Sequence, residues 1–307
     1  MRTAMVGSLE VSVIGLGCNN FGRALDQAGT NEVVAKSLEV GINFFDTASN
    51  YGEAQSEGFL ANALGSRRDE AVIGTKFGLA IPGFEQSGGA RPEYVRAAIE
   101  RSLTQLQTDR IDLFQLHFPD PDTPIAETLG AMNELVLEGK VIEIGCSNMS
   151  AEQMAEAAAA SRDGELARFV SNQIEYSMVN REVETNGSVE VAVDENIALL
   201  PFYPLASGLL TGKKRQGQPV EGRLNMDRYQ RFLSDDNYAV AERLRAFADR
   251  VGQEMSVIAL AWVLAQPAVP AVTPGATKPE QVVSNAKASD WVPSEAELAE
   301  LRELLAT

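Results

Sequence analysis

The chain has 307 residues, with 26 Lys and Arg against 43 Asp and Glu, so its net charge is −17. That charge repels nucleic-acid phosphates and anionic lipid, which disfavours general binding to either. A single histidine, with neither His-Glu-x-x-His nor paired Cys-x-x-Cys, removes most zinc sites.

The first residues, Met1 to Gly7, lack the apolar region of a secretory leader. No run of about eighteen apolar residues follows that could span a bilayer. Cys18 and Cys146 make no disulfide framework, so the expected setting is a reducing cytoplasm. The first apolar run, Val13–Gly17, carries Gly15-Leu16-Gly17. A dinucleotide fingerprint needs a third glycine at position 20, where Asn20 stands. The fingerprint is therefore incomplete, and a tight exit from the first strand is the preferred reading of the two glycines. The spacing then predicts a helix over Asn31–Val40, capped by Thr30 and stopped by Gly41. Further buried-strand runs follow at Ile42–Asp46, Ala71–Lys76, Ile111–His117, Val141–Gly145, Phe169–Gln173, Ile197–Pro201 and Pro270–Thr273.

Helical patterns alternate with these runs. Arg91–Leu106 places Val95, Ala98, Ile99, Leu103 and Leu106 on one face. Pro124–Leu137 opens with proline and stops at Gly139. Ser150-Ala151-Glu152-Gln153 is a capping-box pattern. Asn237–Val251, Ser256–Gln266 and Ser294–Leu305 complete the helices. The first seven runs start roughly 28–40 residues apart, the size of a strand-loop-helix unit. The last interval is longer and contains Lys213-Lys214-Arg215. Eight strands with intervening helices predict an α/β protein, a (β/α)8 TIM barrel formed by residues 1–307 as one domain. An open doubly wound sheet is the alternative.

A barrel carries its chemistry at the C-terminal strand ends. There the sequence places Asp46 and the following Tyr51, Lys76, and His117. Singly, each has a structural alternative: a buried ion pair, a surface aromatic, a satisfied interior histidine. Together at one mouth they would be costly without a purpose. A tyrosine titrates near ~10, and a close ammonium lowers that by roughly 1–3 units. Asp46 would hold Lys76 charged, and His117 would orient a carbonyl oxygen. The set reads as a metal-free general acid for a carbonyl that accepts hydride.

These residues lie in motifs that resemble the aldo-keto reductase family. The motifs are Asn43–Gly52, Gly74-Thr75-Lys76, Gln115-Leu116-His117, Ile144–Asn148, Asn172–Tyr176, Pro204–Lys213 and Thr273–Ala276. The resemblance implies a barrel with an N-terminal β-hairpin, which Met5–Ser12 would supply, and extra C-terminal helices. It implies Tyr51 as general acid, Lys76 and Asp46 as its partners, and His117 as the carbonyl-orienting group. Ser147, Asn148 and Gln173 would contact the nicotinamide carboxamide, and Tyr203 would stack on the ring. The loop with Pro204, Leu205, Ala206, Gly208, Leu210, Gly212 and Lys213 would cover the pyrophosphate. Gly275, Ala276, Thr277 and Lys278, with Gln281 and Asn285, would hold the adenosine end at a helix N-terminus.

Many family members carry Lys-Ser where this chain has Gly275-Ala276, and Arg at the position of Gln281. Lys278 is the remaining cation there, and NADP(H) is the expected cofactor, with NAD(H) as the alternative. The substrate is expected to be a small carbonyl compound, against Asn20, Phe21, Phe77 and Phe118, with Asn19, Phe84 and Tyr229 nearby. The short, glycine-rich stretch Gly78–Ala90 predicts an open mouth. A channel-subunit-like regulatory barrel is the alternative function. A Schiff-base lyase using Lys76, or a thiol enzyme using Cys18 or Cys146, fits the set less well.

Overall fold

The computed structural model of the protein describes residues 1–81, 83–85, 88–219 and 222–306, and of 222 and 223 only the backbone. Positions 82, 86 and 87 of the stretch Gly78–Ala90 lie outside the described residues. The chain opens with an antiparallel hairpin, β1 (Thr3–Val6) and β2 (Leu9–Ser12). Strands and helices then alternate: β3 (Leu16–Gly17), α1 (Gln27–Glu39), β4 (Phe44–Asp46), α2 (Ser56–Leu64), β5 (Val72–Phe77) and α3 (Pro92–Leu106). The series continues with β6 (Ile111–Leu116), α4 (Ile125–Leu137), β7 (Val141–Ser147), α5 (Ala151–Asp163), β8 (Phe169–Glu175), α6 (Ser188–Asp194) and β9 (Ala198–Phe202). After a long connection come α7 (Asp235–Val251), α8 (Met255–Leu264), α9 (Pro279–Ala286) and α10 (Glu295–Ala306).

β3 to β9 pair in sequence order as a seven-stranded parallel sheet. The segment between α8 and α9 closes it. The Leu199 amide donates to Ala268 on one side, at 2.7 Å. On the other, the Gly15 amide donates to Val272 at 2.8 Å, and parallel bridges join Ile14 to Val272 and Gly17 to Gly275. The result is a (β/α)8 barrel with an N-terminal hairpin, in which the expected eighth strand is a short bridging segment.

Local signals account for the element ends. α5 has the full capping box between Ser150 and Gln153. α3 has Pro92 in its first turn and stops at Gln107, which is left-handed. α1 begins a turn earlier than the sequence predicts. Asp26 is its N-cap, accepting from the Gly29 amide at 2.9 Å. Thr30 is instead inside the helix and donates its hydroxyl to the Asp26 carbonyl. A carboxylate at that site satisfies a first-turn amide directly, so it outcompetes the later threonine. α2 and α6 were not marked by the sequence patterns, being short and lacking a side-chain cap.

Period-two alternation along the strands sorts the barrel interior from its outer layer. Phe44, Leu113, Val170, Leu200 and Ala271 point inward and pack with Val6, Leu9 and Val11 of the hairpin. The hairpin therefore plugs the N-terminal end of the barrel with apolar side chains. Two residues further along β4 and β6 the interior carries Asp46 and Gln115, and this change toward polar side chains places the chemistry at the opposite mouth.

Candidate active site

Asp46 ends β4, and Lys76 lies one residue before the end of β5; both face into the barrel. The Lys76 ammonium is fully buried. It donates to Asp46 Oδ1 at 2.8 Å, to the Thr47 carbonyl at 2.7 Å and to the Tyr51 hydroxyl at 3.4 Å. His117 follows β6, and its ring centroid is 5.9 Å from that of Tyr51, edge to face. The structure thus brings together all four groups expected at the mouth. Tyr51 leads a turn whose next residue must be glycine. Gly52 has φ +57°, and a Cβ there would stand 2.0 Å from the Phe21 carbonyl oxygen.

The electrostatics correct one expectation. Burial raises the Tyr51 hydroxyl above its ordinary value, and this outweighs the lowering by Lys76; the Asp46 charge adds to the rise. Burial alone would lower Lys76, but the Asp46 carboxylate and Tyr51 reverse that and hold it above the ordinary lysine range. The mouth at neutral pH therefore holds an ammonium beside a protonated phenol. Burial, helped by the nearby Lys76 charge, pushes His117 down to about 3, so the imidazole is neutral. A neutral ring still has one N–H to offer a carbonyl oxygen.

The expected cofactor residues follow the same rim. Ser147 donates to the Gln173 carbonyl at 2.9 Å, and Asn148 donates its amide to the His117 carbonyl at 3.0 Å. Gln173 Nε2 is buried with no partner, as is Ser207 Oγ in the turn after Leu205. A carboxamide oxygen and a phosphate oxygen are acceptors that such donors take, so these residues fit a nicotinamide dinucleotide. Tyr203 has φ +53° and packs edge to face on Tyr229 and Phe232. Pro204 is buried, and Ala206 and Leu210 are fully buried core side chains, so only their backbone can meet a ligand. Gly208 and Gly212 are left-handed, and Arg245 donates to the Gly212 carbonyl at 2.9 Å. Lys213, Gly275 and Lys278 are exposed, while Ala276 and Asn285 are buried. Gln281 accepts from the Thr277 amide at 2.6 Å and so caps the entry to α9 itself.

The substrate expectations divide. Phe118 is exposed and stacks on His117, with centroids 5.2 Å apart. Phe77 is a correction. It follows the inward-facing Lys76, so alternation turns it outward, where it stacks on Phe114 at 4.7 Å and meets Tyr94. Phe21 is likewise fully buried in the core. Asn20 is buried and donates to the Ala276 carbonyl at 3.1 Å, tying the first loop to the eighth strand. A cavity of about 300 Å³ lies elsewhere, between α5 and the segments that lead into β8 and β9, against Met154, Ala157, Leu166 and Phe169. It holds none of the mouth's ionisable groups.

Sequence reasoning missed Glu57 and Arg101. Glu57 is buried and accepts from the Thr75 hydroxyl at 2.7 Å and from Arg101 at 3.1 Å. Its signal was readable: Glu57 shares the helical face of Leu60, Ala61 and Leu64, an acid on an otherwise apolar stripe.

The model of the Aldo/keto reductase family matches residues 13–306. A probable voltage-gated potassium channel subunit beta of Arabidopsis thaliana is 34% identical, over 93% of this chain and 89% of the relative. The L-glyceraldehyde 3-phosphate reductase of Escherichia coli K12 is 31% identical, over 91% of this chain and 84% of the relative. The aldo-keto reductase YhdN of Bacillus subtilis is 33% identical, over 92% and 86% respectively. The chain belongs to the aldo/keto reductase family. That family reduces carbonyl compounds with a nicotinamide cofactor.

Proposed function

We propose that this protein is an NADP(H)-dependent reductase of aldehyde or ketone carbonyls, in which Tyr51 supplies the proton. The supporting observation is the buried Lys76 ammonium, which touches Asp46 at 2.8 Å and the Tyr51 hydroxyl at 3.4 Å. When bound, the nicotinamide supplies or accepts a hydride at the carbonyl carbon. Tyr51 donates its hydroxyl proton to the oxygen as negative charge develops there. Lys76 stabilises the resulting tyrosinate, and Asp46 keeps Lys76 charged and aimed. His117, neutral, donates its N–H to the same oxygen and orients it. Ser147, Asn148 and Gln173 would hold the carboxamide, Tyr203 one ring face, and Leu205–Lys213 the pyrophosphate. Lys278 and Lys213 supply local positive charge for the adenosine phosphate on an acidic protein. Residues 1–307 act as one unit in the cytoplasm, without nucleic acid or membrane.

Oxidation of NADPH by the native protein with nitrobenzaldehyde tests this reading. Carbonyl-dependent turnover that is lost in Tyr51→Phe supports it, and turnover retained at the native rate in Tyr51→Phe sinks it. The likeness to a potassium-channel subunit beta favours a second reading, a cofactor-binding regulatory barrel. Tight NADP(H) binding with negligible turnover on a panel of aldehydes, ketoses and steroid-like ketones would select it.

A further inference from the structure

The loop that carries Tyr51 is strained. Gly52, Glu53 and Ala54 follow one another with φ values of +57°, +56° and +68°. Successive left-handed residues persist only where their surroundings over-determine them. Beside the contacts from Lys76, two more come from a single side chain outside the loop. Arg101 on α3 donates Nη2 to the Ala54 carbonyl at 3.3 Å, and Nη1 approaches the Ser49 carbonyl at 3.5 Å. Those carbonyls lie two residues before and three residues after Tyr51. The same Nη1 donates to Glu57 at 3.1 Å, and Glu57 in turn takes the hydroxyl of Thr75, next to Lys76 on β5. The Ser49 amide donates to the Lys76 carbonyl at 3.1 Å.

We infer that Arg101, anchored by Glu57, is a positioning residue that holds the Tyr51 hydroxyl against Lys76. The inference rests on the role proposed for Tyr51. A guanidinium is suited to this place because its rigid fork meets two loop carbonyls and a carboxylate at once. Lysine has a single ammonium at the end of a flexible stem, so it can pair with Glu57 but cannot brace both ends of the loop. Displacement of a reacting group by about 1 Å is enough to cost on the order of a hundredfold in rate.

Two variants separate positioning from folding. Arg101→Lys keeps the countercharge of Glu57 and should melt close to the native protein. Its kcat for a carbonyl substrate is expected to fall roughly ten- to a hundredfold, while its NADP(H) dissociation constant stays within about twofold of native. In Arg101→Ala, millimolar guanidinium should restore a measurable part of kcat. An independent readout needs no turnover. Ultraviolet titration of tyrosinate, with Tyr51→Phe subtracted in each background, isolates Tyr51. Its ionisation should shift from the native value in Arg101→Lys, because the burial that raises it and the Lys76 contact that lowers it both change as the loop releases the hydroxyl. A native kcat in both variants, a parallel loss of kcat and cofactor affinity without rescue, or an unchanged Tyr51 titration each overturns the inference. If the native protein shows no carbonyl turnover, the proposed function fails, and the titration still decides the role of Arg101.

Discussion

Lys76 is completely buried and rests 2.8 Å from Asp46 Oδ1, so each charge is the other's principal compensation. Removing one partner strands the other. Asp46→Asn is expected to destabilise the fold by about 3–5 kcal/mol, because an ammonium is left buried without its carboxylate. Asp46→Asn/Lys76→Met should recover much of that loss, since neutral side chains of similar size replace both charges. Both variants should lack activity. Thermal melts check this, and a single variant as stable as the native protein would show that the ion pair carries no strain when broken.

Tyr51 touches the buried Lys76 ammonium and stands beside His117, the single histidine of the chain. In Tyr51→Phe, kcat is expected to fall roughly 10²- to 10⁴-fold, the span of a lost general acid. Cofactor affinity should stay near native, because the ring remains and only the hydroxyl is gone. Paired measurements of turnover and of cofactor fluorescence quenching test the split. Equal losses in both would assign Tyr51 to binding instead.

His117 links pH to stability with a definite sign. Its folded value is pushed down to about 3, against an unfolded value near 6.5. Between those values the unfolded chain binds a proton that the folded protein refuses. Stability is therefore full above about pH 6.5 and falls as the pH drops toward 3. The limit of this contribution is roughly 3–5 kcal/mol. His117→Gln should flatten the dependence of melting temperature on pH between about 6.5 and 4.5 relative to the native protein. An identical slope in the two proteins would place the acid sensitivity in the carboxylates.

Cofactor choice turns on few cations. Lys278 is exposed at the N-cap of α9, and Gln281 is occupied with the Thr277 amide. The native protein is expected to prefer NADPH over NADH in kcat/KM. Lys278→Ala should lower that ratio by roughly tenfold, the effect of about 1.4 kcal/mol of lost charge pairing. Parallel kinetics with both cofactors decide it. Equal use of the two by the native protein would refute the preference.

The strand-and-helix order was legible because buried parallel strands and amphipathic helices write different periods into the chain. The positions of Asp46, Lys76 and His117 at strand ends followed from the same periods. The hairpin and the adenosine segment were legible only through family motifs. The eighth run, Pro270–Thr273, carried a strand pattern, and only the pairing showed that it joins the first strand by isolated bridges.

What the sequence by itself determined is the alternation that makes a barrel and the set of groups that such a barrel gathers at one mouth. The tertiary structure alone decided how those groups are balanced. Burial raises Tyr51 although Lys76 is beside it. Arg101 reaches the Tyr51 loop from a helix some fifty residues away in sequence. Local periods fix which face a side chain takes. Desolvation and contacts between distant segments depend on every neighbour in space, and no local window of residues contains them.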